Sequence, residues 1–264
     1  GERRAMVHRW RSRQQMAGYL AMVAIGKFRV RDGRSPGGIR NISAVDESLL
    51  QDLDRFQTST GEVTDWAVKT FGRYPFDSTG GIIDNVRVNY ALETQNRPVY
   101  PGAADVPLIV HEIAHMWFGD SVSVRRWQDI WLNEGFATYA EWLWSEQHNG
   151  RTADQIFQRS YRQADAKSWK QRPAEPGGRK TLFSYFPTYT RGAMTVHALR
   201  KTVGDRAFFR IVRSWTAQRA HGHATTDDFV AHAERVSKRN LDRLFRDWLF
   251  KTGRPPLPKA RPAK

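Results

Sequence analysis

Five side chains within 31 residues have the types and spacing that metal-assisted hydrolysis requires. The run His111-Glu112-Ile113-Ala114-His115 sets two imidazoles four residues apart. On a helix, positions four apart stand one turn above each other, so both rings can face one cation. Glu112 projects beside the same point, where a carboxylate can take a proton from water. A catalytic zinc site uses three protein ligands and leaves the fourth position to water, so two histidines are one ligand short. Glu134, inside Trp131-Leu132-Asn133-Glu134-Gly135, follows His115 after eighteen intervening residues. An antiparallel pair of helices can return its carboxylate to the two rings. Glu141 lies seven residues further, on the same helix face, and can accept the outer N–H of a ligand histidine, fixing its tautomer. The expected centre is one Zn2+ per chain, held by His111, His115 and Glu134, with Glu112 as general base and Glu141 behind the ligands. The chain has no cysteine, so any metal site must use His and carboxylate ligands.

The elements that must carry these residues follow from periodicity and punctuation. Leu108 to Phe118 reads as a helix closed by Gly119, and Asn133 to His148 as a second closed by Gly150. Upstream, Lys27 to Val30 and Ile39 to Val45 read as strands about a Gly/Pro turn at residues 33–38. Asp46 to Phe56 and Glu62 to Phe71 have helical apolar spacing. Residues 82–93 alternate: Val86, Val88, Tyr90 and Leu92 share one face, predicted to be buried, and Arg87, Asn89, Ala91 and Glu93 share the other, which can look into a cleft. Residues 95–107 form a loop. Downstream, Tyr189 to Thr202, Arg206 to Arg219, Thr226 to Ser237 and Leu241 to Phe250 read as helices, the third capped by Thr225 or Thr226.

The stretch HEIAHMWFGDSVSVRRWQDIWLNEGFATYAEW resembles the aminopeptidase-N family of gluzincin metallopeptidases, which join His-Glu-x-x-His to a ligand Glu after eighteen residues. The likeness extends over residues 15–255. Phe71-Gly72-Arg73-Tyr74-Pro75-Phe76 resembles the family's FGxYPF segment, Tyr189-Thr190-Arg191-Gly192-Ala193 its Tyr-x-x-Gly-Ala, and Asp247-Trp248-Leu249-Phe250 with Gly253 and Pro255 its closing segment. The resemblance implies that Tyr189 is the catalytic tyrosine. A phenol beside zinc suits this task because it donates a hydrogen bond to a developing oxyanion without prior charge. Tyr90-Ala91-Leu92-Glu93-Thr94 matches the family's Gly-Ala-Met-Glu-Asn strand, keeping the Glu while the first Gly and last Asn are replaced. By that match Glu93 pairs with the α-ammonium of the substrate, a placement that its position on the polar face of the alternating run supports independently.

The implied fold is α+β, a thermolysin-like zincin catalytic domain with the active site between a mixed α/β lobe and a mainly helical lobe. Residues 1–30 are expected to be the remnant of a preceding β-rich domain and a connecting strand, 31–120 the α/β lobe, 121–252 the helical lobe and 253–264 a flexible tail. The implied activity is removal of N-terminal residues from peptides by metal-activated water. An endopeptidase of the same chemistry and a non-catalytic interaction module on this fold are the alternatives.

Composition narrows the remaining classes. With 264 residues, 40% apolar, ten Trp and fourteen Phe, the chain can bury a large core and is not a disordered segment. Its 42 Lys and Arg against 27 Asp and Glu give a net charge of +15. These charges are scattered rather than aligned on one periodic face, so no nucleic-acid partner is expected. Arg3, Arg4, Arg9, Arg11 and Arg13 precede the apolar run Met16 to Gly26, which lacks a small-x-small cleavage site and is shorter than the roughly 20 residues of a membrane span. The run is read as a buried element plus a strand. No membrane span is expected, and the protein is read as soluble, cytoplasmic or secreted, with an N-terminal part of the full protein missing.

Overall fold

The computed structural model describes Val7 and residues 11–258. Arg3, Arg4, Arg9 and residues 259–264 of the expected tail lie outside the described residues. A four-stranded sheet in the order β1-β2-β3-β4 supports one side of the site. β1 (Phe28–Arg34) and β2 (Arg40–Asp46) form an antiparallel hairpin around the Gly/Pro turn; β3 (Thr79–Asp84) and β4 (Val99–Pro101) join in parallel. The connection from β2 to β3 contains α1 (Leu53–Phe71), whose apolar positions Leu53, Phe56, Val63, Ala67 and Phe71 are buried on one face. The other side is helical: α3 (Trp131–Gln147), α4 (Ala153–Gln163), α5 (Gly192–Val203), α6 (Asp205–Gln218), α7 (Thr226–Ser237) and the short α8 (Asp242–Phe245). α2 (Val106–Ala114) lies between the two and packs on both α1 and α3. The class is α+β, as expected from the sequence. No helix among the described residues is long and apolar enough to cross a membrane.

Local chemistry explains where these helices begin. The Asp105 carboxylate accepts from the Leu108 N–H and caps α2, with Pro107 in the first turn. Thr152 with Gln155 and Thr225 with Asp228 close capping boxes at α4 and α7. At the crossing of α3 and α5 the helices meet backbone to backbone. A Cβ on Gly135 would stand 2.9 Å from the Gly192 Cα, and one on Gly192 3.0 Å from the Gly135 Cα. This contact sets the residue before Gly135, which is Glu134, against the chain entering α5.

Four expectations are corrected. The apolar run at 16–26 is not a buried element: only Leu20, on a 3₁₀ turn (Gly18–Leu20), reaches the core, and Ile25 is 94% exposed. The helices expected at 46–56 and 62–71 are a 3₁₀ segment (Glu47–Asp52) followed by the single α1, which runs through the Thr/Gly stretch read as a break. Gly61 is there for close approach, since a Cβ would meet Ser35 Cα and Asn41 Nδ2 of the hairpin at 3.3 Å. The strand at 82–93 ends at Asp84, and Val86, Val88, Tyr90 and Leu92 are exposed rather than buried. Residues 85–90 are exposed at the apolar and the polar positions alike, so the alternation there corresponds to no half-buried strand. Finally, α2 stops at Ala114, and the residues up to Gly119 form tight turns.

A buried histidine in the helical side sets a pH dependence. The His197 Nε2–H donates to Asp154 (3.2 Å), and its Nδ1 accepts from the Tyr139 hydroxyl (3.1 Å), which in turn accepts from Arg200. Burial, aided by Arg200 and Lys201, pushes the imidazole down to about 4 despite Asp154. The unfolded chain protonates this group near pH 6.5 and the native state only near 4, so stability falls as pH drops through that window, by about 3 kcal/mol at most. Urea midpoints measured between pH 7 and pH 4 are expected to decline in the parent, and to decline less steeply in His197→Gln.

Candidate active site

α2 and α3 carry the candidate metal-binding residues. His111 and His115 lie one turn apart at the C-terminal end of α2, with ring centroids 4.9 Å apart. Glu134 lies in the first turn of α3. Its Oε2 is 3.3 Å from the Nε2 of His111 and 3.3 Å from the Nε2 of His115. One donor atom from each of the three side chains falls within a 4.8 Å cluster. The other ring nitrogens settle the tautomers. His115 Nδ1 is 3.0 Å from the Phe118 carbonyl, which can only accept, and His111 Nδ1 is 2.6 Å from a Glu141 carboxylate oxygen. Both Nδ1 atoms therefore carry hydrogen, so in the neutral ring each Nε2 is the nitrogen that offers its lone pair to the cluster centre. Ligands about 2.1 Å from a tetrahedral centre stand about 3.4 Å apart, so the donor set fits a zinc ion.

The field in the cluster follows from the same contacts. Burial works against a charge on either imidazole, but the Glu134 carboxylate outweighs it, raising His115 to about 9 and His111 well above its ordinary value. Burial also opposes the Glu134 charge, and the two histidines overcome it and hold the carboxyl down at about 2. Glu112 is different: it is buried without a cationic partner at hydrogen-bond distance, its Oε2 has no partner, and burial raises it to about 7. A buried polar atom without a partner is rare in native folds and marks a place where a further group is received.

Tyr189 does not begin an ordinary helix as the spacing suggested. It lies in a π-helical turn (Tyr185–Arg191) that leads into α5, and such turns recur where a side chain must be aimed. Its ring stacks on His111 (6.0 Å between centroids, 23°) and on Tyr185 (5.7 Å, 18°). Burial raises its pKa, and the charges of Glu134, Glu93 and Glu112 raise it further, so the hydroxyl stays protonated. Glu93 is half-buried, and its charge acts on Glu112, His115 and Tyr189. It borders the cluster although the strand expected to carry it is absent.

Three further residues border the site without having been singled out in the sequence. Asp120 is 2% exposed, neither carboxylate oxygen has a partner, and burial and the charges of Glu93 and Glu112 raise it well above the carboxylate range against the pull of His115. Asn133 is buried with both amide atoms unpartnered. Gly119, at φ +138°, brings them together around His115: a Cβ there would stand 3.2 Å from Asn133 Nδ2 and 3.3 Å from His115 Nδ1. The third is Tyr19, whose hydroxyl lies in the fields of Glu93, Asp120 and Glu134. Asp120 and Asn133 stand in the same run as the metal-type residues, so an orphaned polar side chain beside HEIAH was the available signal; nothing local signals Tyr19.

An α+β fold with two imidazoles and a carboxylate from consecutive helices defines the gluzincin class of metallopeptidase. The model of the peptidase family M1 domain matches residues 87–248. Aminopeptidase N of Streptomyces lividans is 30% identical over 275 residues, covering 90% of this chain and 31% of that protein. A probable aminopeptidase 2 of Sulfurisphaera tokodaii is 29% identical over 159 residues, 56% of this chain and 20% of that one. Among solved structures, a point variant of the M1 zinc metallopeptidase of Deinococcus radiodurans bound to a Tyr-Ser-Ala substrate superposes with a TM-score of 0.79 at 27% identity, covering 89% of this chain and 54% of that one. This chain belongs to peptidase family M1. It spans about a third of the first curated relative it matches.

Proposed function

We propose that the protein is a zinc aminopeptidase that removes the first residue of peptides with a free N-terminus. The observation that carries this reading is the convergence of His111, His115 and Glu134 on one point, with the unpartnered Glu112 carboxylate beside it. In this reading those three side chains hold one Zn2+, which when bound supplies Lewis-acid polarisation of the scissile carbonyl and acidifies water. Glu112 takes the proton of the attacking water and delivers it to the departing amine, a role worth about 10² to 10⁴ in rate. Tyr189 donates its hydroxyl hydrogen to the oxyanion of the tetrahedral intermediate. Glu141 keeps His111 in the tautomer whose Nε2 faces the cluster. Glu93 accepts the α-ammonium, which places the first peptide bond, rather than an internal one, over the zinc ligands. The peptide-bound Deinococcus enzyme supports a peptide substrate by likeness.

The test is metal analysis of the full-length protein combined with cleavage of one peptide in free and N-acetylated forms. One zinc per chain and release of the first residue from the free form alone are expected; equal rates on both forms would make the enzyme an endopeptidase. Glu93→Ala is expected to lower kcat/KM on the free peptide about 10- to 150-fold, chiefly through KM, as loss of a hydrogen bond to a charged group implies. An unchanged KM would remove Glu93 from amine binding.

A further inference from the structure

A cavity of about 420 Å³ opens where the C-terminal ends of α1, α2 and α6 meet, and none of its lining residues belongs to the candidate active site. Tyr74 and Phe76, just after α1, and Trp117, just after α2, give it aromatic walls. The Tyr74 and Trp117 rings pack edge to face at 5.3 Å. Arg73, Arg213 and His221 line the same space. A volume of this size, with apolar walls and a few converging polar groups, suits a small organic molecule.

The polar groups are held in place with bonding capacity left over. Arg213 donates from Nε to the Thr70 carbonyl and from Nη2 to the Lys69 carbonyl (both 3.1 Å), which fixes the fork and leaves Nη1 without a partner among the described residues. The Arg73 carbonyl accepts from the Trp117 indole (3.1 Å), while its guanidinium makes no hydrogen bond or ion pair among the described residues. His221 stands in the left-handed region (φ +58°), its backbone N–H donating to Ser121 Oγ (3.2 Å) and its ring against Phe76 (5.8 Å between centroids). The His221 Nδ1 is enclosed yet has no partner. Such atoms are rare in native folds, and His221 lines a space large enough to supply the missing partner. Asp77 is the acidic residue of the lining and already accepts from Gln14 Nε2 (3.2 Å), so positive charge prevails. An adjoining cavity of about 910 Å³ shares Arg73 and is lined by Lys69 and Arg34. Its Asp65 carboxylate is taken up by Ser35 Oγ and the Gly37 N–H, so this neighbour extends the positive field.

We propose that this cavity binds a small organic anion, its charged end received by Arg73, Arg213 and the His221 Nδ1, and its apolar body by Tyr74, Phe76 and Trp117. The test is calorimetry on the full-length, zinc-loaded protein with benzoate and phenyl phosphate, the two sources of charge, against benzamide, which lacks the charge, and inorganic phosphate, which lacks the ring. Benzoate is expected to bind about tenfold or more tighter than benzamide, as charge-assisted hydrogen bonds imply. Phenyl phosphate is expected to bind about tenfold tighter than inorganic phosphate through burial of the ring. The tighter of the two aromatic anions names the charge the site is built for. Arg73→Gln, and His221→Gly, which is at ease at φ +58°, are each expected to weaken that anion about tenfold with circular dichroism unchanged. An anion ligating zinc would be indifferent to both substitutions. Such indifference, parity of either aromatic anion with its control, or no binding of either at millimolar concentration would overturn the proposal. Zinc content and peptide cleavage are expected to match the parent in both variants, so a failure of the peptidase reading would leave this test untouched.

Discussion

Glu112→Gln is expected to leave one zinc per chain and to lower kcat by about 10² to 10⁴. Glutamine keeps the shape of the side chain and loses only the ability to accept and release a proton. The fold makes this a clean comparison, because Glu112 Oε2 has no partner whose hydrogen bond the variant would break. Stability separates a functional carboxylate from a structural one. Burial raises Glu112 to about 7, so in the metal-free protein its ionisation is a cost to the native state that grows as pH rises from 4.5 to about 7. An uncharged amide escapes that cost, and metal-free Glu112→Gln is expected to melt no lower than the parent at pH 7.5. A stable, zinc-loaded, inactive variant is the signature of a residue kept for chemistry at the expense of stability. Near-parent turnover would take proton transfer away from Glu112, and loss of zinc would instead make it a ligand.

The parts of this site written in the sequence are those whose geometry is local. The four-residue step from His111 to His115 becomes one helical turn, and Glu141 shares a face with Glu134 by the same arithmetic, so the fold brings all four together. Tyr189 was reachable only through its motif, because an apolar pattern cannot tell a π-helical turn from the first turn of an α-helix. Residues whose placement depends on distant partners left no local mark. Tyr19 sits in an apolar run that reads as core, yet its neighbours Ile25 and Val23 face water while its own ring meets Trp127 at 5.1 Å. Gly61 shows the converse: a helix-breaking residue by propensity is kept in mid-helix because a hairpin must pass at contact distance. For residues 86–92 the alternation was read wrongly as a half-buried strand, since periodicity says nothing about what packs on a face.

Arg191→Met is expected to destabilise the protein by about 3–5 kcal/mol, because buried carbonyls that lose their donor each cost about 1–3 kcal/mol. Arg191 has no exposed surface and no carboxylate partner among its hydrogen bonds. Its guanidinium donates instead to five carbonyls: Trp248 at 2.9 Å, Asp247 at 3.2 Å, Lys251 at 2.7 Å, Gln171 at 2.8 Å and Trp169 at 3.3 Å. Three of these belong to the last π-helical turn (Arg246–Phe250) or the residue after it, where helix geometry leaves carbonyls without N–H partners. Burial lowers the group only to about 10, so at neutral pH it remains a full cation against the negative end of that turn. Methionine fills similar volume but leaves these carbonyls without the guanidinium, only Trp169 keeping a second donor in the Gly253 N–H, and lysine, with one nitrogen in place of a fork, cannot span them. For a chain of this size the melting temperature of Arg191→Met should fall by about 6–20 °C. Because Arg191 stands two residues after Tyr189, loosening this clamp is also expected to lower kcat at temperatures where the variant remains folded. A melting point within about 2 °C of the parent would mean that water replaces the guanidinium, and that the π-helical turn holds Tyr189 over His111 unaided.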